Sequence, residues 1–377
     1  MSLRSPLKFD ADSDETLFGL FKSLFVLLLA VGLLRTFNIE TILTVSNTMR
    51  PIPDPTPVGT VVYAGVGLVV LGTAGALLGQ RKPPERRFPR RILAGLGGVA
   101  AVVLVGLAYG LHRSADLPAF PRELLIATTN GLVVMGLGAI AYARRRGFDL
   151  PMSAPDRRDW AASLTTVVLS AVTALGGTFV YMRTVGTLPD MRFDRAAMGG
   201  VWPAELVFYS VLMGLGWGLL FNGAIQTALR DRLGAAGAVT AATAITGFPL
   251  LVGRALTRSG SELGTLSLAA LLTVENFMLV VVAFAIVHGA WVLSRRLGIE
   301  LTPVRGAIVV VLVAVVASLS VEQPPFVALT VSWALVAALG TLAFERTRSV
   351  WVPVAAYASY ELFAAMETVR FLLGGYL

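Results

Sequence analysis

Cysteine is absent and histidine nearly so: the 377 residues include no Cys and two His, His112 and His288. No cysteine means no disulfide, no thiolate metal site and no cysteine nucleophile. Two histidines are too few for a haem chain or a dinuclear centre built from imidazole. No phosphate loop, Gly-rich nucleotide fingerprint or metal-binding cluster occurs in the sequence, so neither a cofactor nor a metal is expected. Charge is scarce too. Asp, Glu, Lys and Arg make up 14% of the chain, against about 25% in soluble domains. No polar stretch between apolar runs is long enough for an extramembrane ligand-binding domain, which excludes a receptor or sensor of that design.

What fills the chain instead is apolar sequence, 55% of all residues with a mean hydropathy of +0.74. Runs of about 20 such residues cross a bilayer. Eleven candidates recur, near 18–36, 58–79, 92–111, 123–143, 160–182, 201–226, 236–257, 264–293, 304–320, 325–344 and 350–376. The predicted fold is therefore all-α, a polytopic transmembrane helix bundle of about eleven spans. Residues 1–17 read as a short cytosolic tail leading into an uncleaved first span, because four acidic residues precede the apolar run and no small-x-small cleavage site follows it. Residues 18–200 form an N-terminal transmembrane region of about five spans, and 201–377 a C-terminal one.

The formal net charge of +8 sits mainly in alternate short loops, "RKPPERRFPRR" (81–91), "RRRGFDLPMSAPDRR" (144–158), and the pairs Arg230/Arg232, Arg295/Arg296 and Arg346/Arg348. This asymmetry places those loops and the N-terminus in the cytoplasm, and the cell membrane is the expected location. Anionic headgroups account for the basic loops, so membrane lipids are expected partners and nucleic acid is not.

An ionisable group inside a span costs several kcal/mol and should face protein or water. Glu205, Asn222, Glu275, Asn276, His288, Tyr357, Glu361, Glu367 and Arg370 are such polar residues. Tyr357 and Glu361, four apart, share one helix face, and Glu367 and Arg370 are spaced for an ion pair within one helix. Small residues repeat at helical spacing in "GVGLVVLGTAGALLG", "GLGGVAAVVLVGLAYG" and "GLGWG" (214–218). They predict close helix contacts; the last could also seat a partner's helix or a lipid. "TVSNTMRPIP" (44–53) superficially resembles the Ser-Met-x-Pro box of type I signal peptidases. Here Thr48 precedes Met49, no lysine lies between Lys22 and Lys82, and no β-rich segment follows.

Two stretches carry a further resemblance: "FAIVHGAWVLSRRLGIELTPVRGAIVVVLVAVVASLS" (284–320) and "RTRSVWVPVAAYASYELF" (346–363). Their succession resembles the CPBP family of intramembrane endopeptidases, which includes the CAAX prenyl endopeptidases and bacterial Abi-type proteins. The resemblance implies a Glu-Glu-x-x-x-Arg helix, a Phe-x-x-x-His helix, and a final helix bearing His-x-x-x-Asn. At the matched positions this chain has Ala283 and Phe284 for the glutamates, His288 for the arginine, no Phe-x-x-x-His near 318–322, and Tyr357 and Glu361 for His and Asn. A second placement puts "WGLLFNGAIQTALRDRLG" (217–234) on the first helix, with Trp217, Gly218 and Asn222 at the key positions. Spacing to Tyr357 favours the first placement, with the family-like core at about 280–365.

Water activation by a carboxylate, and imidazole or amide groups for the oxyanion, are what that chemistry needs; no catalytic residue is expected at these degenerate positions. The expected function is a non-catalytic membrane protein on a CPBP-like scaffold, an accessory or binding subunit for a partner membrane protein or lipid-like ligand. Glu205, Asn222, Glu275, His288, Tyr357 and Glu361 are the candidate pocket. An endopeptidase with reassigned residues, Glu361 as base and His288 as its partner, and a membrane transporter are the alternatives.

Overall fold

A computed structural model describes residues 11–48, 126–185, 202–260, 268–321 and 323–365. The candidate spans near 58–79 and 92–111 lie outside the described residues, as do His112, Glu367 and Arg370. Among the described residues every regular element is helical. In chain order they are α1 (Ala11–Thr48), a π-helical segment (Thr128–Leu137) running into α2 (Gly138–Arg146), and α3 (Trp160–Val185). Then come α4 (Trp202–Trp217), a second π-helical segment (Gly218–Gln226), α5 (Thr227–Gly247) and α6 (Pro249–Gly260). The last four are α7 (Leu268–Arg296), α8 (Pro303–Val321), α9 (Pro324–Thr347) and α10 (Trp351–Ala364). Helix α1 starts at Ala11, so part of the expected tail is already helical.

Among the described residues six stretches are long and apolar enough to cross a membrane: Phe18–Ile39, Arg157–Val185, Tyr209–Gly247, Ala270–Arg296, Pro303–Val321 and Pro324–Thr347. The third is not one straight rod. Gly234 has φ 67° and ψ −178°, a backbone state that a side chain disfavours, and it divides α5. Sequence hydropathy runs unbroken through 236–257, yet the helix bends at Phe248, where Pro249 starts α6. Proline cannot donate to the preceding turn. The bend is a kink and not a loop, because Phe248 N–H still donates to Ala244 O at 3.0 Å and Val252 N–H to Phe248 O at 2.9 Å.

Burial follows membrane logic. On α3 the buried stripe is Thr166, Ser170, Ala174, Thr178 and Met182, while Leu164, Val168 and Val172 are exposed. On α8 the buried side is Gly306, Ala307, Val310, Ala314 and Ser318, and Ile308, Leu312, Val316 and Leu319 face outward. Small and weakly polar residues turned inward, with large apolar ones outside, invert the soluble pattern. That is what a lipid surround selects, because close backbone approach drives association there. The second half of α5, Gly237–Gly247, is buried throughout and forms the centre of the bundle.

Packing positions the site. Helix α10 lies against α3, α4 and α9; α5 contacts α7, α8 and α9; and α7 also packs on α1. The α4–α10 contact depends on glycine. A Cβ on Gly214 would come within 2.5 Å of the Ala358 backbone N, and one on Gly218 within 2.5 Å of Val354 Cγ2. The "GLGWG" stretch therefore seats this chain's own α10.

Candidate functional site

The polar residues of α4, α5, α9 and α10 meet where the second π segment crosses α10. A π-helix is wider than an α-helix and tends to mark functional positions. Here Asn222, Gln226 and Gly223 are buried on it. Asn222 Nδ2 donates to Gln226 Oε1 at 2.9 Å, and Gln226 Nε2 donates to the Thr341 carbonyl at 3.0 Å. Thr341 Oγ1 and Thr243 Oγ1 lie 2.7 Å apart. The Tyr357 hydroxyl, fully buried, faces Asn222 and Thr246. Yet Tyr357 Oη, Asn222 Oδ1 and Thr246 Oγ1 complete no hydrogen bond of normal geometry.

One turn along α10 from Tyr357, Glu361 is half-buried. The Trp217 indole N–H is aimed at its carboxylate without closing a regular hydrogen bond, and Arg35 of α1 supplies the nearby positive charge. Arg35 Cζ lies 4.9 Å from the centre of the Trp217 ring, a cation–π arrangement. Aromatic rings wall the site. Trp333 is 5.4 Å from Trp217, 5.7 Å from Tyr357 and 4.9 Å from Tyr360. It is pinned by its indole N–H donating to the Thr246 carbonyl at 2.7 Å.

At the arginine-bearing end, Glu345 Oε1 accepts from Arg230 Nε at 3.0 Å and from Arg348 Nη2 at 2.7 Å. Arg348 has φ 53°, unusual for a residue with a side chain. Partial burial lowers its pKa from the ordinary arginine value; Glu345 opposes that and Arg230 reinforces it. A strap before α3 locks this turn: Val350 N–H donates to Pro151 O at 3.0 Å, Ser349 Oγ to Ser153 O at 2.6 Å, and Trp351 Nε1 to Met152 O at 2.8 Å.

The other expected pocket residues lie elsewhere. His288 is exposed on α7, stacked 6.2 Å from Trp291, so it does not face Tyr357 or Glu361. Its degenerate neighbours turn towards other helices, with Ala283 buried and Phe284 edge-on to Phe21 of α1 at 6.0 Å. Glu275 sits half-buried near Gly253 of α6, and Asn276 donates to the Leu272 carbonyl at 2.8 Å. Glu205 is on α4, its side chain outside the described residues. The structure thus joins Trp217, Gly218 and Asn222, the residues of the second placement, to Tyr357 and Glu361, and leaves those of the first apart.

Sequence reading passed over Arg35, Gln226, Thr243, Thr246, Trp333 and Thr341. Two signals were available. Asn222, Gln226 and Arg230 recur at four-residue spacing, which aligns them on one helix face, and Arg35 is a cation inside the first apolar run. The threonines carry no such signal. No family model, curated protein or solved structure matches the chain.

Proposed function

We propose that this is a multi-pass protein of the cell membrane, with about eleven spans and a cytoplasmic N-terminus. In this reading it is built on a degenerate CPBP-like scaffold and works as a pseudoprotease. It acts as an accessory or binding subunit that holds a partner membrane protein or a lipid-like molecule. The observation that supports the reading is the meeting of Trp217, Gly218 and Asn222 with Tyr357 and Glu361 across the α4–α10 contact.

In the second placement these five occupy the positions where the resemblance calls for Glu, Glu, Arg, His and Asn. The two remaining functions of such a hollow, shape and polarity, are retained by different residues. Trp217, Trp333 and Tyr360 supply flat apolar surface, and Arg35 with Glu361 supplies a charge pair. Glu361 faces a cation and an indole N–H, which hold a carboxylate in place. Surface of this kind suits an apolar chain or helix carrying one polar group.

The test is purification from the native membrane in mild detergent, followed by identification of co-eluting proteins and lipids. A stoichiometric partner that is lost on Trp217→Ala, with the variant still monodisperse, is the expected result. An isolated chain that cleaves a membrane peptide, and stops doing so on Glu361→Gln, overturns the reading in favour of the endopeptidase.

A further inference from the structure

Depth in the membrane separates the two kinds of occupant, helix and lipid, that the Trp217 surface could hold. Trp351 opens α10 at the arginine-bearing end, next to Arg348. Glu361 follows ten residues later, about 15 Å along the helix axis and so about halfway through a hydrocarbon core of roughly 30 Å. The neighbouring α3 gives the same level. Ser359 Oγ, two residues before Glu361, donates to the carbonyl of Val167 at 3.2 Å, and Val167 stands about 10 Å along α3 from its first residue, Trp160.

At that level Arg35, Trp217 and Glu361 are each only half-buried. Arg35 reaches in from α1, which packs on α7 and the first π segment. Trp217 and Glu361 stand on α4 and α10, held together by close glycine contacts. The Arg35–Glu361 pair thus bridges a seam between α1 and the α4–α10 unit, partly exposed near the middle of the membrane. Acyl chains cannot hydrogen-bond to a guanidinium or a carboxylate, and exposing either at this depth is costly. A phospholipid keeps its polar groups at the interface, about 15 Å away. A transmembrane helix can carry a polar side chain to the middle of its span.

The pair also selects the polar group. Its charges sum to zero, so a further ion would be left unbalanced. Arg35 offers only donors and an ionised Glu361 only acceptors, and a carboxamide answers both, its oxygen accepting from one and its NH2 donating to the other. We infer that the occupant of this seam is a transmembrane helix bearing an Asn or Gln near the middle of its span. The inference rests on the binding-subunit reading and narrows its occupant from two classes to one.

The test uses synthetic helices of about 20 leucines, reconstituted with the full chain in phosphatidylcholine vesicles. p-Benzoylphenylalanine replaces Leu34, exposed beside Arg35, or Val172, exposed on α3, and is photolysed. A helix with a central Asn should cross-link to position 34 about fivefold more than an all-leucine helix, or one with Asn near its end, as expected for an interhelical hydrogen bond. Position 172 should show no preference. Arg35→Leu with Glu361→Leu removes both charges together and leaves no unpaired ion; it should abolish the preference. Where that variant fails to fold, the comparison of the three helices on the unaltered pair decides by itself. Equal yields for the three helices, or a preference that survives the double substitution, overturn the inference. So does photolysis in the native membrane that joins position 34 to lipid or to another part of this chain. None of these results touches a partner lost on Trp217→Ala, so the binding-subunit reading falls only by its own test.

Discussion

Helices α7 and α10 pose the same problem in sequence and solve it differently in space. Each is an apolar helix interrupted by polar residues, Glu275, Asn276 and His288 on one, Tyr357, Ser359 and Glu361 on the other. On α7 these residues point apart: His288 is exposed over Trp291, Glu275 lies half-buried against Gly253 of α6, and Asn276 spends its amide on its own helix. On α10 Tyr357 is wholly buried and Glu361 half-buried, answered by side chains from α1, α4, α5 and α9. A polar residue in an apolar helix therefore marks a site only when neighbouring helices converge on it. The α10 face does so because glycines on α4 let it approach to backbone contact.

That dependence sets the largest expected effect. Gly218→Leu drives a side chain into Val354 and should cost about 3 kcal/mol or more, read as an early thermal transition of tryptophan fluorescence in detergent. Gly289 of α7 has open space around it, so Gly289→Ala should fall within about 0.5 kcal/mol. Equal losses in the two variants would break the contrast between the helices.

Tyr357→Phe and Glu345→Ala sharpen it at intermediate size. The first removes a buried hydroxyl that faces Asn222 and Thr246 and should cost about 1 kcal/mol; no loss at all in the melting curve means the hydroxyl bonds to nothing. The second frees Arg230 and Arg348, which are 42% and 40% exposed. Exposure weakens such pairs, so about 1 kcal/mol is expected, diminishing as salt is raised across a series of melts. The smallest effect belongs to His288→Ala, which should leave both the melting temperature and partner recovery unchanged to about 0.5 kcal/mol. Loss of the partner on that substitution would restore α7 to the site.

Much of this was legible beforehand, for identifiable reasons. Apolar runs of membrane length announce helices because the lipid leaves the backbone few other ways to bond, and α3, α8 and α9 begin and end close to their hydropathy limits. Tyr357 and Glu361 were legible as a pair from their spacing. Arg35 was not, since nothing in a linear chain connects it with Trp217 and Glu361 across more than 180 residues. Asn222 was visible as a polar residue, but the π segment that turns it towards Tyr357 is a feature of backbone winding, to which hydropathy is blind. The same blindness hid the break at Gly234 and the kink at Phe248, where apolar sequence continues while the helix axis changes direction.

By itself the sequence determined the membrane class, the helical content and the inventory of side chains available inside the bundle, because transfer from water to lipid depends on composition along each segment. Tertiary structure alone decided which of those side chains meet. Helices of similar hydropathy are interchangeable to the lipid; only the fit of small residues against neighbouring backbone chose α10 over α7 to carry the buried polar site.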